Sequence, residues 1–224
     1  MWATASDQMK ALVPRLMVAL SGLVLAMPAL AHPHVWVKAK AEILYAPDGK
    51  VTGLRQSWAF DPAMSAYFTQ GLDKNGDGKL TPDEMADLAK ENTESLVQFD
   101  YYTILKANGA KQTFDPPRDP GMTFENGVAT LSFVLPLKKP ALANKALTFE
   151  VVDPVFFIDF SLADGDDAVK LADAPKGCAV AITRPKPAEA AQQQQKLSEA
   201  FFEAMTAASN VGGQFANRAI VACP

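Results

Sequence analysis

The segment VWVKAKAEILY, residues 35–45, determines the kind of fold that this chain can adopt. Small or apolar residues stand at every second position, which is the period of a β-strand with one buried and one exposed face. The turn sequence Pro47-Asp48-Gly49 follows, and residues 51–60 predict an antiparallel partner strand. The pair indicates that a β-sheet forms the centre of the fold.

Further β-rich runs continue from residue 99 to residue 183. They are rich in β-branched and aromatic residues and are separated by Gly, Pro, Asn and Asp, as in a succession of strands and turns. Residues 219–223 predict one last short strand. Strands therefore occupy most of the chain.

Three helices are predicted outside these strands. Asp61-Pro62 favours a helix start, because Asp can cap the free N–H groups and Pro suits the first helical position. Thr81-Pro82-Asp83-Glu84 has the pattern of a capping box and predicts a second helix. Residues 188–208 are rich in Ala, Gln, Glu and Lys, which favours a third.

These elements predict an α+β fold with a β-sandwich-like body, an inserted EF-hand helix-loop-helix and a C-terminal helix. The predicted parts are a signal peptide over residues 1–31, a β-rich domain over 32–184 with the EF-hand-like insertion at 61–98, and a helix and terminal strand over 185–224 that pack on the same domain. The 193 residues after position 31 are enough for one sizeable core.

The first 31 residues have the features of a signal peptide. Lys10 and Arg15 form a positive n-region, and residues 16–30 are an uncharged apolar run. Ala29-Leu30-Ala31 provides the small residues of a cleavage site. The run falls short of the ~20 residues that span a bilayer, although an uncleaved anchor is the alternative.

Cleavage after residue 31 predicts a periplasmic protein whose mature chain begins at His32. Asp7 fits an n-region poorly, so translation from Met9 is also predicted. The formal charge of the chain is −4, without a basic stripe, which argues against a nucleic-acid partner. No second apolar stretch approaches membrane-spanning length, so we expect a soluble protein after cleavage.

The chain contains two cysteines, Cys178 and Cys223. An even pair in an oxidising compartment predicts a disulfide bond, with two free thiols as the alternative. The bond would tie the last predicted strand to the main domain.

Residues 73–84, DKNGDGKLTPDE, match the twelve-residue EF-hand loop. Gly78 at position six permits the sharp turn, and Leu80 at position eight is the usual apolar anchor. The predicted calcium ligands are Asp73, Asn75, Asp77, Lys79 through its carbonyl, Thr81 and Glu84. We expect one structural calcium ion, because no second loop is present to pair with this one; the alternative is a degenerate loop kept for its shape.

Both histidines of the chain lie in His32-Pro33-His34, directly after the predicted cleavage site. In an extended segment, residues i and i+2 share a face, so two imidazoles and the new α-amine can converge. This donor set suits zinc, nickel, cobalt or copper. Further ligands could come from Asp61, Asp153 or Asp159, and the alternative is a solvated N-terminus without a metal.

Catalytic constellations are scarce. Because no histidine lies outside residues 32–34, Ser-His-Asp and Cys-His arrangements are excluded. There is also no phosphate-binding glycine loop and no Cys-x-x-Cys motif. The chain is therefore not expected to be an enzyme.

Five motifs together resemble a known family, the domain of unknown function DUF1007. They are AHPHVW at 31–36, W-x-F-D at 58–61, the loop at 73–80, D-P-x-x-F at 153–157 and P-x-G-C at 175–178. The resemblance implies a periplasmic component of an uncharacterised ABC-type transport system, in a family often encoded beside nickel/cobalt transporters.

Two functions follow as hypotheses. The first is a periplasmic metal-binding accessory protein of a transition-metal transport system, with His32 and His34 as metal ligands, an inner-membrane transporter as partner and a structural calcium loop. The second is a calcium- and disulfide-stabilised interaction protein that docks on a transporter without binding the transported ion.

Overall fold

Alternating apolar residues form strands along nearly half of the described chain. The computed structural model describes residues 33–185, 213 and 215–224, which fall within one compact unit, Ala31–Pro224. The signal peptide, His32 and the predicted helix over 188–208 lie outside the described residues. The helices are α1 (Pro62–Thr69) and α2 (Ala86–Ser95), and the strands are β1 (Val35–Tyr45), β2 (Val51–Phe60), β3 (Thr103–Ala107), β4 (Ala110–Lys111), β5 (Arg118–Glu125), β6 (Val128–Ala141), β7 (Leu147–Val151), β8 (Ile158–Leu162), β9 (Val169–Ala172), β10 (Ala179–Thr183) and β11 (Asn217–Ala222).

Strand β1 is the centre of a six-stranded sheet with the order β5-β6-β2-β1-β8. The predicted hairpin is confirmed, because β2 pairs with β1 in antiparallel register. On its other side β1 pairs in parallel first with β8 and then with β9. This arrangement places β1 beside two strands that lie more than a hundred residues later in the sequence.

The second sheet has five strands in the order β10-β11-β7-β3-β4. The predicted terminal strand is present as β11, and it lies inside this sheet, paired with β10 on one side and β7 on the other. Cys178 and Cys223 form a disulfide across the β10–β11 pair, as predicted. The last strand is therefore an integral part of the sheet and not an appended edge.

The two sheets contribute to one hydrophobic core. Leu54, Trp58 and Phe133 of the first sheet are buried in it together with Leu105 and Phe149 of the second. The mixed α+β class with a large majority of sheet is thereby confirmed, and neither sheet closes into a barrel among the described strands.

A buried hydrogen-bond chain also connects the sheets. Gln56 on β2 is fully buried, and its Nε2 donates to Thr103 Oγ1 on β3 at 2.8 Å. Trp58 Nε1 donates to Gln56 Oε1 at 3.0 Å, so that both ends of the buried amide are paired. An unpaired amide at this depth would destabilise the fold, and the chain of bonds avoids that cost.

The helical segment, residues 61–102, is inserted between β2 and β3. Asp61 caps α1 by accepting hydrogen bonds from the backbone N–H groups of Ala63 and Met64, and Pro62 occupies the first turn, as predicted. Ser65 is buried, and its Oγ accepts a hydrogen bond from Ala129 N, which fastens α1 to β6.

Two predictions within the helical segment need correction. The capping pair forms, since Glu84 N donates to Thr81 Oγ1 and Thr81 N donates to Glu84, but α2 begins only at Ala86. The strand predicted from residue 99 begins at Thr103, because residues 96–102 form a 3-10 segment with a kink.

Candidate functional site

His34 lies on the outer face of the six-stranded sheet, at the start of β1. Alternate residues of β1 point to this face, so His34 and Trp36 are both exposed. The backbone N–H of His34 donates to the carbonyl oxygen of Phe157 at 2.9 Å, and the two side-chain rings lie 4.8 Å apart. These contacts fix the histidine against the chain that leads into β8.

Asp159 lies on the same face as His34. The parallel register pairs Trp36 with Asp159, and paired residues of neighbouring strands project to the same side of a sheet. Asp159 is therefore opposite Trp36, and His34 lies two residues earlier on the same face, against Phe157. Partial burial raises the pKa of its carboxyl group, and Lys38 on β1 opposes this shift.

The other two acids that the sequence offered as ligands have structural roles. Asp61 caps α1 with Oδ1, while its Oδ2 accepts a hydrogen bond from Trp36 N at 3.0 Å. Asp153 is buried, and its two carboxylate oxygens accept from Val155 N and Ile158 N at 3.0 and 2.9 Å. Of the three candidate acids, Asp159 is the one that the register places on the same face as His34.

A cleft of about 300 Å³ adjoins Asp159. Lys38, Asp159 and Asp164 bring charges of both signs to it. Arg184 also lines it and is held by hydrogen bonds to the carbonyl oxygens of Ala163 and Gly165. The sequence alone did not single out Lys38 or Arg184, since no motif marks them and only strand pairing brings them to Asp159.

The loop of residues 73–84 is folded around its first aspartate. Asp73 Oδ1 accepts from Gly76 N at 2.8 Å, and Asp73 Oδ2 accepts from Gly78 N at 2.9 Å. Both glycines have positive φ, 73° and 76°, a conformation that side chains other than Gly rarely adopt. The sequence motif thus produces the sharp turn that it predicts.

Glu84 connects the two ends of this loop. Its Oε2 accepts from Thr81 N and Thr81 Oγ1 at 3.0 and 2.9 Å, and its Oε1 accepts from Lys74 N at 3.2 Å. Hydrogen bonds from Thr81 lower the pKa of the Glu84 carboxyl group below its ordinary value, because they favour the anionic form. The oxygen donors suit a hard cation such as calcium.

The carboxylates of the loop do not converge on one point. Within the part of the chain that the structure describes, no group of three or more His, Cys, Asp or Glu side chains is arranged to hold a metal ion. On the outer face of β1, His34 and Asp159 are two donors, and His32 lies outside the described residues.

The fold and its sites define an α+β protein, mainly of sheet, with a disulfide that fits an oxidising compartment outside the cytoplasm. Among the described residues, no helix combines the length and apolarity needed to cross a membrane.

The family model described as "Protein of unknown function (DUF1007)" matches residues 17–223, and the chain belongs to this family. The resemblance predicted from the five motifs is thereby confirmed. No curated protein matches the chain.

Proposed function

We propose that this protein is a periplasmic metal-binding accessory of a transition-metal transport system. The observation that supports the proposal is the register of β1 with β8, which puts Asp159 opposite Trp36 and therefore on the face of the sheet to which His34 points. An imidazole and a carboxylate are common ligands of zinc, nickel, cobalt and copper. The predicted signal peptide would direct export, and its cleavage after residue 31 would leave His32 as the first residue.

The ligand set that we infer is His32, His34 and Asp159. Residues i and i+2 of an extended chain share a face, so a continuation of β1 toward its start would carry His32 to the side on which His34 lies. His32 would offer its imidazole and the α-amine that cleavage creates. An exposed site with few protein ligands would suit capture and transfer of an ion to an inner-membrane transporter.

Metal titration of the protein tests this proposal. Residues 32–224 with the native first residue would be titrated with zinc, nickel, cobalt and copper by calorimetry, in the presence of calcium. We expect one bound ion, with at least tenfold weaker binding after His34→Ala or Asp159→Asn. Asp164→Asn is the matched control, because Asp164 lines the same cleft but is not in the ligand set.

Two outcomes would contradict the proposal. One is the absence of transition-metal binding in the unaltered protein, which would favour the second hypothesis, an interaction protein that docks on a transporter without binding its ion. The other is equal weakening by Asp159→Asn and Asp164→Asn, since a general loss of negative charge would then explain the effect.

We further propose that residues 73–84 bind one structural calcium ion. The ligands would be Asp73, Asn75, Asp77, the carbonyl of Lys79, Thr81 and Glu84. The turn around Asp73 supports this proposal because it forms from the loop's own residues. The ion would fasten α1 to α2.

Calcium-dependent unfolding tests the loop. A site with a Kd of about 10⁻⁴–10⁻³ M stabilises a protein by about 1.4–2.7 kcal/mol in 10 mM calcium. We expect Glu84→Gln to abolish this gain and Glu91→Gln, at an exposed acid on α2, to leave it intact. A calcium-induced rise in Tm that survives Glu84→Gln would show that calcium binds elsewhere.

A further inference from the structure

An apolar pocket of about 180 Å³ lies where the six-stranded sheet meets the helical segment. Trp58 and Phe60 on β2 line the pocket, together with Phe68 on α1 and Leu96, which directly follows α2. Phe99 and Tyr102, from the 3-10 segment, also line the pocket. This pocket is separate from the cleft beside Asp159.

The wall of the pocket is held in an unusual backbone conformation. Asp100, Tyr101 and Tyr102 have φ values of 51°, 57° and 48°, so three successive residues other than Gly are left-handed. Such a conformation costs energy at each residue and persists only where the surroundings impose it. Residues of this kind concentrate at binding sites.

Aromatic contacts and buried hydrogen bonds impose the conformation. The Tyr102 ring lies 5.3 Å from Phe160 and 5.1 Å from Phe99, on which it stacks. Thr103 Oγ1 donates to Tyr101 O at 2.7 Å and accepts from Gln56, which also pairs with Trp58. The pocket is therefore formed before a ligand arrives.

The volume of the pocket limits what it can hold. Sites for small-molecule ligands usually measure about 300–1,000 Å³, whereas an apolar cavity of about 150 Å³ suffices for benzene. At about 180 Å³, the pocket takes one aromatic ring and little more. This size suits a single anchoring side chain of a larger partner.

The surroundings of the pocket are apolar as well. Phe99 lines the pocket and is 49% exposed, and Val97 beside Leu96 is 60% exposed. Aromatic residues around a pocket that receives an anchor are typical of protein–protein interfaces. A lone small molecule would leave these side chains in water.

The charge of the helical segment defines the partner further. Residues 61–102 contain nine Asp and Glu but three Lys, a formal charge of −6, whereas the whole chain carries −4. The remainder of the chain is therefore slightly positive. The calcium ion proposed above would change the charge of the segment to −4, so the segment stays acidic. Charge complementarity at an interface steers association and selects partners, so a partner at this surface should be basic.

We propose that the pocket receives one aromatic side chain from a basic polypeptide segment of a partner protein. This proposal goes beyond metal binding and does not depend on it, since none of the inferred metal ligands lines the pocket.

A peptide of defined sequence tests the proposal. The probe is a capped Lys-Lys-Gly-Phe-Gly-Lys-Lys peptide, titrated into ¹⁵N-labelled protein, residues 32–224, with calcium present. We expect amide shifts at the pocket residues. Replacing Phe of the peptide by Ala, or its lysines by Glu, should weaken binding about tenfold or more, because burial of the ring and charge pairing are then lost.

Protein variants locate the contact. Ser95 is exposed and lines the pocket, so Ser95→Phe should occupy the mouth and abolish peptide binding. Gln98→Phe, which adds the same ring at an exposed position outside the lining, should leave binding unchanged. Asp159→Asn should also leave it unchanged, which distinguishes this proposal from the metal site.

Three results would overturn the proposal. They are equal affinity for the Phe and Ala peptides, amide shifts confined to residues outside the pocket, and binding of free toluene that is as tight as that of the peptide and indifferent to the lysines. The last result would assign the pocket to a small apolar ligand.

Discussion

The two-sheet body and the helical segment of residues 61–102 are built on different principles. The body is held by a continuous buried core, by cross-strand pairing and by a disulfide. The helical segment has two short helices, a net formal charge of −6 and a strained backbone beside exposed aromatic side chains. We infer from this difference that the body provides most of the stability of the fold, whereas the segment contributes less to it.

Truncation of one phenylalanine in each region should give the largest contrast. Phe149 on β7 is fully buried, and Phe149→Ala should lower the free energy of unfolding by about 3–5 kcal/mol. Phe99→Ala in the helical segment, where the ring is 49% exposed, should cost less than about 1.5 kcal/mol. Urea unfolding measures both values, and equal losses would refute the division between body and segment.

Removal of the disulfide should have the next largest effect. The bond closes a loop with a sequence separation of 45 and joins the ends of two strands that already pair. Cys178→Ser combined with Cys223→Ser should lower the free energy of unfolding by about 3–4 kcal/mol. Dithiothreitol should destabilise the unaltered protein and leave the double variant unaffected. A similar loss in both would show that dithiothreitol does not act by reducing this disulfide, since the double variant contains no cysteine.

Alkaline pH should give the smallest effect, at the junction of the two regions. Burial raises the pKa of Tyr102 from 10.0 to about 12. Because the unfolded tyrosine ionises first, the stability due to the neutral folded form is present below pH 10 and is lost as the pH rises through about 12.

Unfolding measured between pH 9 and 12 checks this assignment. Tyr102→Phe should show a shallower decline of stability across this range than the unaltered protein. Tyr67→Phe is the control, since Tyr67 is 72% exposed and no change in slope is expected. Identical slopes for all three proteins would mean that Tyr102 ionises equally in both states.

Local sequence signals predicted a large part of the fold. The alternation in residues 35–45, the cap at Asp61 and the glycines of the loop at 73–84 act over a few residues, and each is found as expected. The disulfide was predictable because the chain has only two cysteines. The combination of five motifs predicted the family, which the family model confirms.

Features that depend on distant pairing were not predictable. Nothing local in residues 158–162 indicates that β8 pairs in parallel with β1. This pairing puts Asp159 on the face of the sheet to which His34 points. The left-handed run at residues 100–102 contains no glycine, so only the surrounding packing and the bonds from Gln56 and Thr103 explain it. Tyr102 of this run lines the apolar pocket, so the pocket was not predictable from the sequence either.

Anomalous diffraction is the sharpest test of the proposed metal site at His34 and Asp159. Crystals of residues 32–224 would be grown with one equivalent of zinc, nickel, cobalt or copper, and data would be collected at the absorption edge of that metal. We expect one anomalous peak at the start of β1, at about 2 Å from an imidazole nitrogen of His34 and from a carboxylate oxygen of Asp159. No peak on this face with any of the four metals, or a peak that survives in His34→Ala crystals, would contradict it.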